Sequence, residues 1–298
     1  MTRPRVGIVG GTGGMGSLFA RFFRRQGCQV RVSSRRTALT PEACAAWSEL
    51  LVVSVPIRDT DAVIRRVAPH LRKEAALMDL TSLKAAPLRT MLASHPGEVL
   101  GCHPVFGPSL RRLASQVVVL VPGRRGPWFA RLTRMLRSER ASVRRATAQE
   151  HDRIMAVVQG LMHLTSVQLL TTLRGLGIPL DLLRAFSSPV YRVRMDFAAR
   201  ILGQNPEMYA DIALGNPATR RVLATYQRQA AALEAVVRRG DRKGFLRMFR
   251  GARDFLGREA VTAQGRTNRL LETLADVEDR ESRTKPARAR RDSFSLPG

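Results

Sequence analysis

A glycine-rich turn follows the first apolar segment of the chain, which runs from Val6 to Val9. Gly11, Gly13 and Gly16 have the spacing G-x-G-x-x-G. Glycines at this spacing allow a tight bend, close approach of the backbone to phosphate, and packing of a helix on a strand. The amphipathic pattern of residues 15–26 predicts that helix, whose N-terminal N–H groups and dipole would face an anion. The turn therefore indicates a binding site for the pyrophosphate of a dinucleotide.

Polar residues also follow three later apolar segments, at the points where strands are predicted to end. They lie in Ser54-Val55-Pro56, in Thr81-Ser82-Leu83-Lys84 and in His103-Pro104-Val105-Phe106-Gly107-Pro108. In an open α/β sheet, ligands bind beyond the carboxyl ends of the strands, so we expect these residues to converge near the nicotinamide end of the cofactor. His103 is the candidate for the chemistry, because an imidazole can accept a hydroxyl proton near neutral pH while the carbon loses hydride. A lone histidine is usually structural, but the position after a strand and before the rigid Pro104 favours a functional role.

A long apolar helix is predicted to begin at a capping box over residues 147–150 and to continue to about residue 173. Its apolar residues cover most of the circumference, so it should be buried almost all round. We expect a second subunit of a homodimer to supply part of that cover. Gln159 and His163 share one polar face of this helix with Asp152. For His163, contact with a substrate and hydrogen bonding to neighbouring helices are both open.

Arg200 is the candidate for binding a carboxylate, because the fork of its guanidinium suits a planar anion. It lies four residues after Asp196 and four before Gln204. A solvated Asp–Arg pair on one helix face is therefore the alternative interpretation.

The sequence contains three cysteines, Cys28, Cys44 and Cys102. Their odd number and the lack of C-x-x-C spacing indicate reduced, buried thiols, and no metal site is expected. Cys102 precedes His103, but neighbouring residues of a strand point to opposite faces, so we expect no Cys–His dyad.

The composition indicates a globular protein of two domains, since the chain has 298 residues of which 44% are hydrophobic. No apolar run approaches the length of a membrane span and no secretory signal is seen, so we expect a cytoplasmic protein without a membrane partner. The formal net charge of +26 invites a nucleic-acid interpretation. Arginines are spread over both halves, however, and aromatic residues make up only 5%, so no nucleic-acid partner is expected.

Six apolar, β-branched segments alternate with helical patterns in the first half of the chain. They lie at residues 6–9, 28–32, 50–55, 75–80, 99–102 and 116–121. The alternation predicts a Rossmann-type, doubly wound parallel sheet over residues 1–146. Helical patterns continue over residues 147–279, which indicates an all-helical domain for substrate binding and dimerisation. Ser, Pro, Lys and Arg then replace the apolar rhythm, which predicts a disordered basic tail at residues 280–298.

Six motifs occur in one order along residues 5–260. They are Gly7 to Gly16, Asp79-Leu80-Thr81-Ser82-Leu83-Lys84, Gly101-Cys102-His103-Pro104-Val105-Phe106-Gly107-Pro108, Glu150-His151-Asp152 with His163, Ser187-Ser188-Pro189-Val190-Tyr191-Arg192 and Tyr209-Ala210-Asp211-Ile212. Together they resemble the prephenate dehydrogenase family, in particular the dehydrogenase half of the bifunctional chorismate mutase/prephenate dehydrogenase proteins. The first strand begins almost at residue 1, so we expect a stand-alone version without a mutase domain.

The resemblance implies oxidative decarboxylation of a cyclohexadienyl carboxylate. Hydride leaves the ring carbon that bears the hydroxyl, the ring carboxylate departs as carbon dioxide, and the ring becomes aromatic. By the same resemblance, His103 accepts the hydroxyl proton, Ser82 hydrogen-bonds near the same oxygen, and Arg200 holds a substrate carboxylate. The further residues that fall on the family's substrate pocket are Lys84, His151, His163, Gln204 and Tyr209.

The identity of the cofactor is open between NAD and NADP. The residues expected to bind it are Gly11, Gly13, Met15, Gly16, Ser34, Arg35, Ser54 and Pro56. The resemblance implies NAD, but the second strand ends in Ser33-Ser34-Arg35-Arg36 where an acidic residue would hold the adenosine ribose. This pattern could bind a 2′-phosphate and suggests NADP, unless the arginines are ordinary surface residues of an arginine-rich chain.

Two substrates fit this interpretation, prephenate and 4-amino-4-deoxyprephenate, the second of which belongs to aromatic-amine antibiotic pathways. Exchange of the ring hydroxyl for an amine leaves hydride transfer and decarboxylation unchanged. One alternative is an NADP-dependent reductase of another Rossmann family, motivated by Ser34-Arg35-Arg36, which would leave the His103 loop unexplained. Another is a non-catalytic basic module that binds nucleotides or nucleic acid.

Overall fold

The computed structural model describes residues 3–110 and 112–284. A seven-stranded sheet forms the N-terminal half, in the strand order β2-β1-β3-β4-β5-β6-β7. The strands are β1 Arg5–Val9, β2 Gln29–Ser33, β3 Leu50–Val53, β4 Ala76–Asp79, β5 Glu98–Pro104, β6 Val117–Arg124 and β7 Ser142–Arg145. Each of the six predicted segments forms one strand, and β7 is a further strand that the sequence pattern did not predict.

The sheet is parallel from β2 to β5, which confirms the predicted fold class. One pair differs, because β6 runs antiparallel to β5, and β7 is parallel to β6. The described residues between β5 and β6 contain no helix. A parallel crossover usually contains a helix, so the chain here returns antiparallel instead.

Helices flank the sheet and make up the C-terminal half of the described chain. Those between strands are α1 Gly14–Arg25, α2 Pro41–Trp47, α3 Ile57–Val67, α4 Ala85–Ser94 and α5 Pro127–Ser138. Those after β7 are α6 Ala148–Met155, α7 Met162–Gly175, α8 Leu180–Ala185, α9 Pro189–Leu202, α10 Pro206–Gly215, α11 Pro217–Arg238, α12 Arg242–Leu256 and α13 Glu259–Thr284. A π-helical turn, Ala156–Leu161, joins α6 to α7.

Helices cover both faces of the sheet, as doubly wound connections require. On one face, Phe19 of α1 and Leu132 of α5 pack in a cluster with Ile8 of β1. On the other face, Ile64 of α3 packs in a cluster with Val9 of β1. Successive strand residues supply opposite faces. This core fixes the carboxyl ends of β1, β3, β4 and β5 along one edge of the sheet.

The long helical run after β7 begins as predicted. The Thr147 hydroxyl accepts a hydrogen bond from the Glu150 backbone N–H at 3.2 Å, and the Glu150 carboxylate accepts one from the Thr147 N–H at 2.8 Å. This capping box starts a run that continues through the π-helical turn to Gly175.

The prediction that this run is buried almost all round is wrong for the single chain. No residue of α7 is buried, and Ile154 and Met162 are 50% and 58% exposed. By length and composition alone, Ala148–Gly175 could also cross a membrane, so the expectation that no run has that length is wrong too. One such helix is weak evidence for a span, because a helix with an apolar face toward a protein partner meets the same criterion.

The chain divides into two compact units. The first comprises Met1–Met162 with Pro206–Val222, and the second comprises His163–Asn205 with Leu223–Gly298. The predicted change from sheet to helices near residue 146 agrees with the secondary structure, whereas the first unit extends to Met162 because α6 packs on α4 and the π-helical turn packs on α10. Helix α13 continues to Thr284, so residues 280–284 of the predicted tail are helical, and its remainder lies outside the described residues.

Candidate nucleotide and proton-transfer site

Gly10, rather than Gly11, makes the tight bend after β1. Its φ of 81° lies in the left-handed region that favours glycine. Gly11 must be small for a different reason, since a Cβ there would lie 2.6 Å from a methyl group of Val32. A Cβ at Gly16 would lie 2.5 Å from the Gly10 carbonyl oxygen, so this glycine allows α1 to pack closely on the turn. Gly11 and Gly16 thus meet two separate steric demands, and the tight bend predicted for the motif falls on Gly10 instead.

The N-terminus of α1 is open to an anion. The helix begins at Gly14 with Gly13 as N-cap, and no side chain caps it. Gly13 and Gly14 are exposed, and Met15 is half-buried beside them. The first N–H groups of the helix can therefore bind a pyrophosphate, as the sequence pattern predicts.

The end of β2 presents two exposed guanidinium groups. The Ser34 N–H donates to the Thr37 hydroxyl at 2.8 Å, and the Arg36 N–H donates to the Ser34 hydroxyl at 3.1 Å. These bonds fold residues 34–37 into a compact turn from which Arg35 and Arg36 are exposed. The turn contains no carboxylate, so its charge suits a phosphate better than a ribose diol that needs an acidic partner.

Two further loops lie against the glycine turn. Ser54 follows β3, donates its N–H to the Val9 carbonyl at 2.9 Å, and is half-buried. Pro56 follows as the N-cap of α3 and is exposed. From the other side, a Cβ added at Gly14 would lie 2.7 Å from Cγ of Pro108. The loop after β5 therefore contacts the turn that would hold the cofactor.

His103 lies near the end of β5, where it is paired with β6 and only 2% exposed. Its Nδ1 lies 2.8 Å from Nε2 of His151 on α6, and the two rings meet edge to face. Its Nε2 lies 3.4 Å from the side-chain nitrogen of Gln159 in the π-helical turn. The imidazole on β5 thus contacts one side chain of α6 and one of the π-helical turn.

The second histidine is itself held by Asp152. Nδ1 of His151 lies 2.7 Å from Oδ1 of Asp152. The same carboxylate accepts backbone N–H groups of Lys84 and Ala85, each at 2.9 Å, at the start of α4. The Asn216 amide donates to the Asp152 carbonyl at 2.7 Å. The acid is therefore anchored to two helices besides its own.

Burial sets the protonation of this cluster. Burial lowers the pKa of His103 well below the usual 6.5, and the electrostatic influence of the neighbouring His151 ring and of the Lys84 ammonium lowers it further. Burial opposes ionisation of Asp152, but hydrogen bonds from His151, Ala85 and Lys84 outweigh this and lower the pKa of the carboxyl. At neutral pH, His103 is thus a neutral base and Asp152 an anion.

Lys84 lies fully buried between β4 and β5. Its ammonium forms an ion pair with Asp79 and donates to the Cys102 carbonyl at 3.2 Å. The side-chain hydroxyl of Thr81 donates to the same Asp79 oxygen at 2.6 Å. The predicted substrate contact of Lys84 would require the ammonium to leave these partners.

The three cysteines are buried and free, as predicted. Burial raises the pKa of the Cys102 thiol, whose side chain belongs to the core on one face of the sheet. A buried thiol that stays protonated is a poor nucleophile. A structural role for Cys102 agrees with these observations.

The remaining predicted site residues divide between the two units. In the first unit, Ser82 is half-buried after β4, and Tyr209 is half-buried on α10, which packs against α3. In the second unit, His163 is half-buried in α7 and burial lowers its pKa. Arg200 is exposed on α9, and the Gln204 amide donates to its carbonyl at 2.9 Å. The substrate contacts of these residues stay predictions.

Sequence reasoning assigned no role to several residues of the site. Gln159 was recognised only as a polar position on an apolar helix, Asp152 as such a position and as part of a motif, and Asp79 only as part of a motif. Asn216 had one usable signal, because it precedes Pro217 and accepts the Ala218 N–H at 3.1 Å as a helix cap. No local signal connected Asn216 to Asp152, which is distant in sequence.

A parallel sheet with a glycine-rich turn and an open helix N-terminus at its carboxyl edge defines a dinucleotide-binding domain. Two family models match the chain. Residues 38–145 match the prephenate dehydrogenase nucleotide-binding domain, and residues 147–251 match the prephenate dehydrogenase dimerization domain.

Several known proteins of the same family are similar to this chain. A probable arogenate/prephenate dehydrogenase of Methanocaldococcus jannaschii is 36% identical over 87% of this chain and 62% of its own length. The T-protein of Haemophilus influenzae is 33% identical over 92% of this chain and 72% of its own length. A 4-amino-4-deoxyprephenate dehydrogenase of Streptomyces pristinaespiralis is 27% identical over 91% of this chain and 97% of its own length. The chain belongs to the prephenate dehydrogenase family.

A solved structure shares the fold. Prephenate dehydrogenase from Aquifex aeolicus, in complex with hydroxyphenyl propionate and NAD+, matches with a TM-score of 0.63 and 19% identity, over 86% of this chain and 99% of that one. This likeness shows a shared fold.

Proposed function

We propose that this chain is a dehydrogenase that converts prephenate or 4-amino-4-deoxyprephenate to the corresponding 4-substituted phenylpyruvate, with release of carbon dioxide and reduction of NAD or NADP. Its family membership and the activities for which its relatives are named support this proposal. The observation that carries it is the neutral, buried imidazole of His103 near the end of β5, directly before the loop that contacts the glycine turn.

The residues present fit a nicotinamide dinucleotide. The open N-terminus of α1 would hold the pyrophosphate through Gly11, Gly13, Met15 and Gly16. Ser54 and Pro56 lie at the ends of the neighbouring strand and loop, on the side expected for the nicotinamide. When bound, the nicotinamide accepts a hydride from the substrate ring.

The protein's part of the reaction is to hold a proton and to orient the substrate. His103 Nε2 accepts the hydroxyl proton while the ring C–H bond breaks and its electron pair leaves as hydride. The bond to the ring carboxylate then breaks, its electron pair enters the ring, and carbon dioxide departs. The proton returns from His103 to the oxygen of the aromatic product, so protons balance. Ser82 hydrogen-bonds to the same oxygen, and Arg200 binds a substrate carboxylate.

The purified protein is expected to reduce a nicotinamide cofactor when given one of the two substrates. Prephenate and 4-amino-4-deoxyprephenate are each tested with NAD and with NADP, and the absorbance of the reduced nicotinamide is followed together with carbon dioxide release. One productive pair identifies the 4-substituent and the cofactor. No turnover in all four combinations would refute the proposed function.

We further propose that Arg35 and Arg36 bind the 2′-phosphate of NADP. Both guanidinium groups are exposed at the end of β2, on a turn without a carboxylate. Changing both arginines to alanine is expected to lower the ratio of kcat/KM for NADP to that for NAD by about tenfold or more, since each charge-assisted hydrogen bond contributes about 1.5–3 kcal/mol.

A suitable control for this cofactor test is Arg65→Ala. Arg65 is an equally exposed arginine in the last turn of α3, at the end of that helix away from the glycine turn. Its loss should leave the ratio unchanged. A wild-type protein that prefers NAD, with a ratio that the double variant does not alter, would contradict the assignment.

We also propose a cytoplasmic homodimer. The half-exposed apolar residues of α6 and α7 need cover that the single chain does not supply. The family model over residues 147–251 is described as a dimerization domain, which supports a second copy of this chain as that cover.

A further inference from the structure

His103, His151 and Asp152 form a continuous hydrogen-bonded series, here called the histidine relay. The two contacts measure 2.8 Å from His103 Nδ1 to His151 Nε2 and 2.7 Å from His151 Nδ1 to Asp152 Oδ1. All three residues are at most 8% exposed. The resemblance places His151 at the substrate pocket, whereas in the structure its two ring nitrogens are both engaged within the relay.

The direction of the hydrogen bonds follows from the acid. Asp152 already accepts two backbone N–H groups and is ionised, so it can only accept from His151 Nδ1. With its ring proton on Nδ1, His151 presents the lone pair of Nε2, and this atom accepts from His103 Nδ1. His103 then carries no proton on Nε2, whose lone pair can act as an acceptor.

The other neighbour of His103 agrees with this direction. The side-chain amide nitrogen of Gln159 faces His103 Nε2 at 3.4 Å, as a donor would face a lone pair. The Asn216 amide fixes the backbone of Asp152 from α11's N-terminus. Gln159 therefore contacts the His103 end of the relay, and Asn216 fixes the Asp152 end.

We propose that His151 and Asp152 are positioning residues that keep His103 in the tautomer with Nδ1 protonated and Nε2 ready to accept the substrate proton. This inference rests on the proposed function for its kinetic consequence. In serine-protease triads, replacing the orienting carboxylate by an amide lowers kcat by about 10⁴ through the wrong tautomer.

The tautomer can be measured without any substrate. The full-length protein labelled with ¹⁵N-histidine contains five histidines, and His103→Asn identifies the signals of His103. Long-range ¹H–¹⁵N spectra should show His103 protonated at Nδ1 and not at Nε2. Protonation at Nε2 in the wild-type protein would overturn the proposal, whether or not the protein turns over prephenate.

Two substitutions of His151 distinguish its orientation of the His103 ring from its hydrogen bond to Asp152. A glutamine amide can place its oxygen near the position of Nε2 and still accept from His103. An asparagine amide reaches only the position of Nδ1, where it can donate to Asp152 but not contact His103. We expect kcat for His151→Gln to exceed that for His151→Asn by about tenfold or more, with unchanged KM for cofactor.

A purely structural role for His151 predicts the opposite order, because only the asparagine preserves the bond to Asp152. Equal kcat values, or a higher value for His151→Asn, would therefore overturn the proposal. Thermal midpoints of both variants confirm that folded proteins are compared. If wild-type protein is inactive with every substrate and cofactor tested, the proposed function fails, and the tautomer measurement still decides the relay.

Discussion

His103→Asn is expected to lower kcat by about 10²–10⁴-fold, the usual contribution of a positioned general base. Asparagine has similar bulk near the backbone but cannot accept a proton. Binding of the cofactor, measured by fluorescence titration with NAD and NADP, should be unchanged, because His103 is not among the residues of the glycine turn.

Activity of the wild-type protein should persist below pH 6.5, since burial and the neighbouring charges lower the pKa of His103 and its neutral form is the active one. Activity then falls as the pH passes below that lowered pKa.

The matched comparison for His103→Asn is Arg200→Ala. If the guanidinium binds a substrate carboxylate, this variant should chiefly raise KM for the substrate, with a smaller effect on kcat. Equal loss of cofactor binding in both variants would contradict the two role assignments. A His103→Asn variant with nearly normal kcat would refute His103 as the base.

Lys84→Met is expected to lower the free energy of unfolding by about 3–5 kcal/mol, the cost of leaving one partner of a buried ion pair uncompensated. Lys84 and Asp79 are both fully buried, and the ammonium is surrounded by protein acceptors. Urea unfolding followed by circular dichroism measures the change. Binding of the substrate identified by the activity assay should change only in proportion to the fraction of folded protein.

The double variant Asp79→Asn with Lys84→Met serves as the control for the buried pair. Removing both charges should recover much of the lost stability, because the remaining groups are neutral. If Lys84→Met instead leaves the urea midpoint unchanged and raises KM for substrate, Lys84 binds the substrate as the family resemblance implies. The stability measurement thus distinguishes the two roles of this residue.

The sequence predicted most of the nucleotide-binding domain because its signals are local. Strand β1, the glycine turn and α1 follow one another directly, and the capping box at Thr147 and Glu150 needs only four residues. The strand β7 was missed, since Ser142–Arg145 is short, partly exposed and carries two arginines instead of an apolar pattern. The antiparallel direction of β6 relative to β5 was missed, because apolar content does not encode strand direction.

The site was predicted only in part, because its contacts join residues far apart in the chain. His103 was found from its position after a strand, but its link to His151 spans β6, α5 and β7. Lys84 was assigned to substrate by resemblance, and only the fold shows its ion pair with Asp79. The sequence predicted that the long helical run is buried with help from a second subunit, and the single chain leaves apolar residues of this run exposed.

The π-helical turn at Ala156–Leu161 also changes the phase of the helical run. An α-helix advances about 100° per residue, and a π-helical turn accommodates one extra residue in a turn. A helical wheel drawn with uniform spacing therefore assigns residues beyond the turn to faces about 100° away from their true ones. Deleting one residue there would remove the extra residue and restore uniform α-helical spacing through the run. The register of this helix, more than its composition, decides which side chain reaches the imidazole.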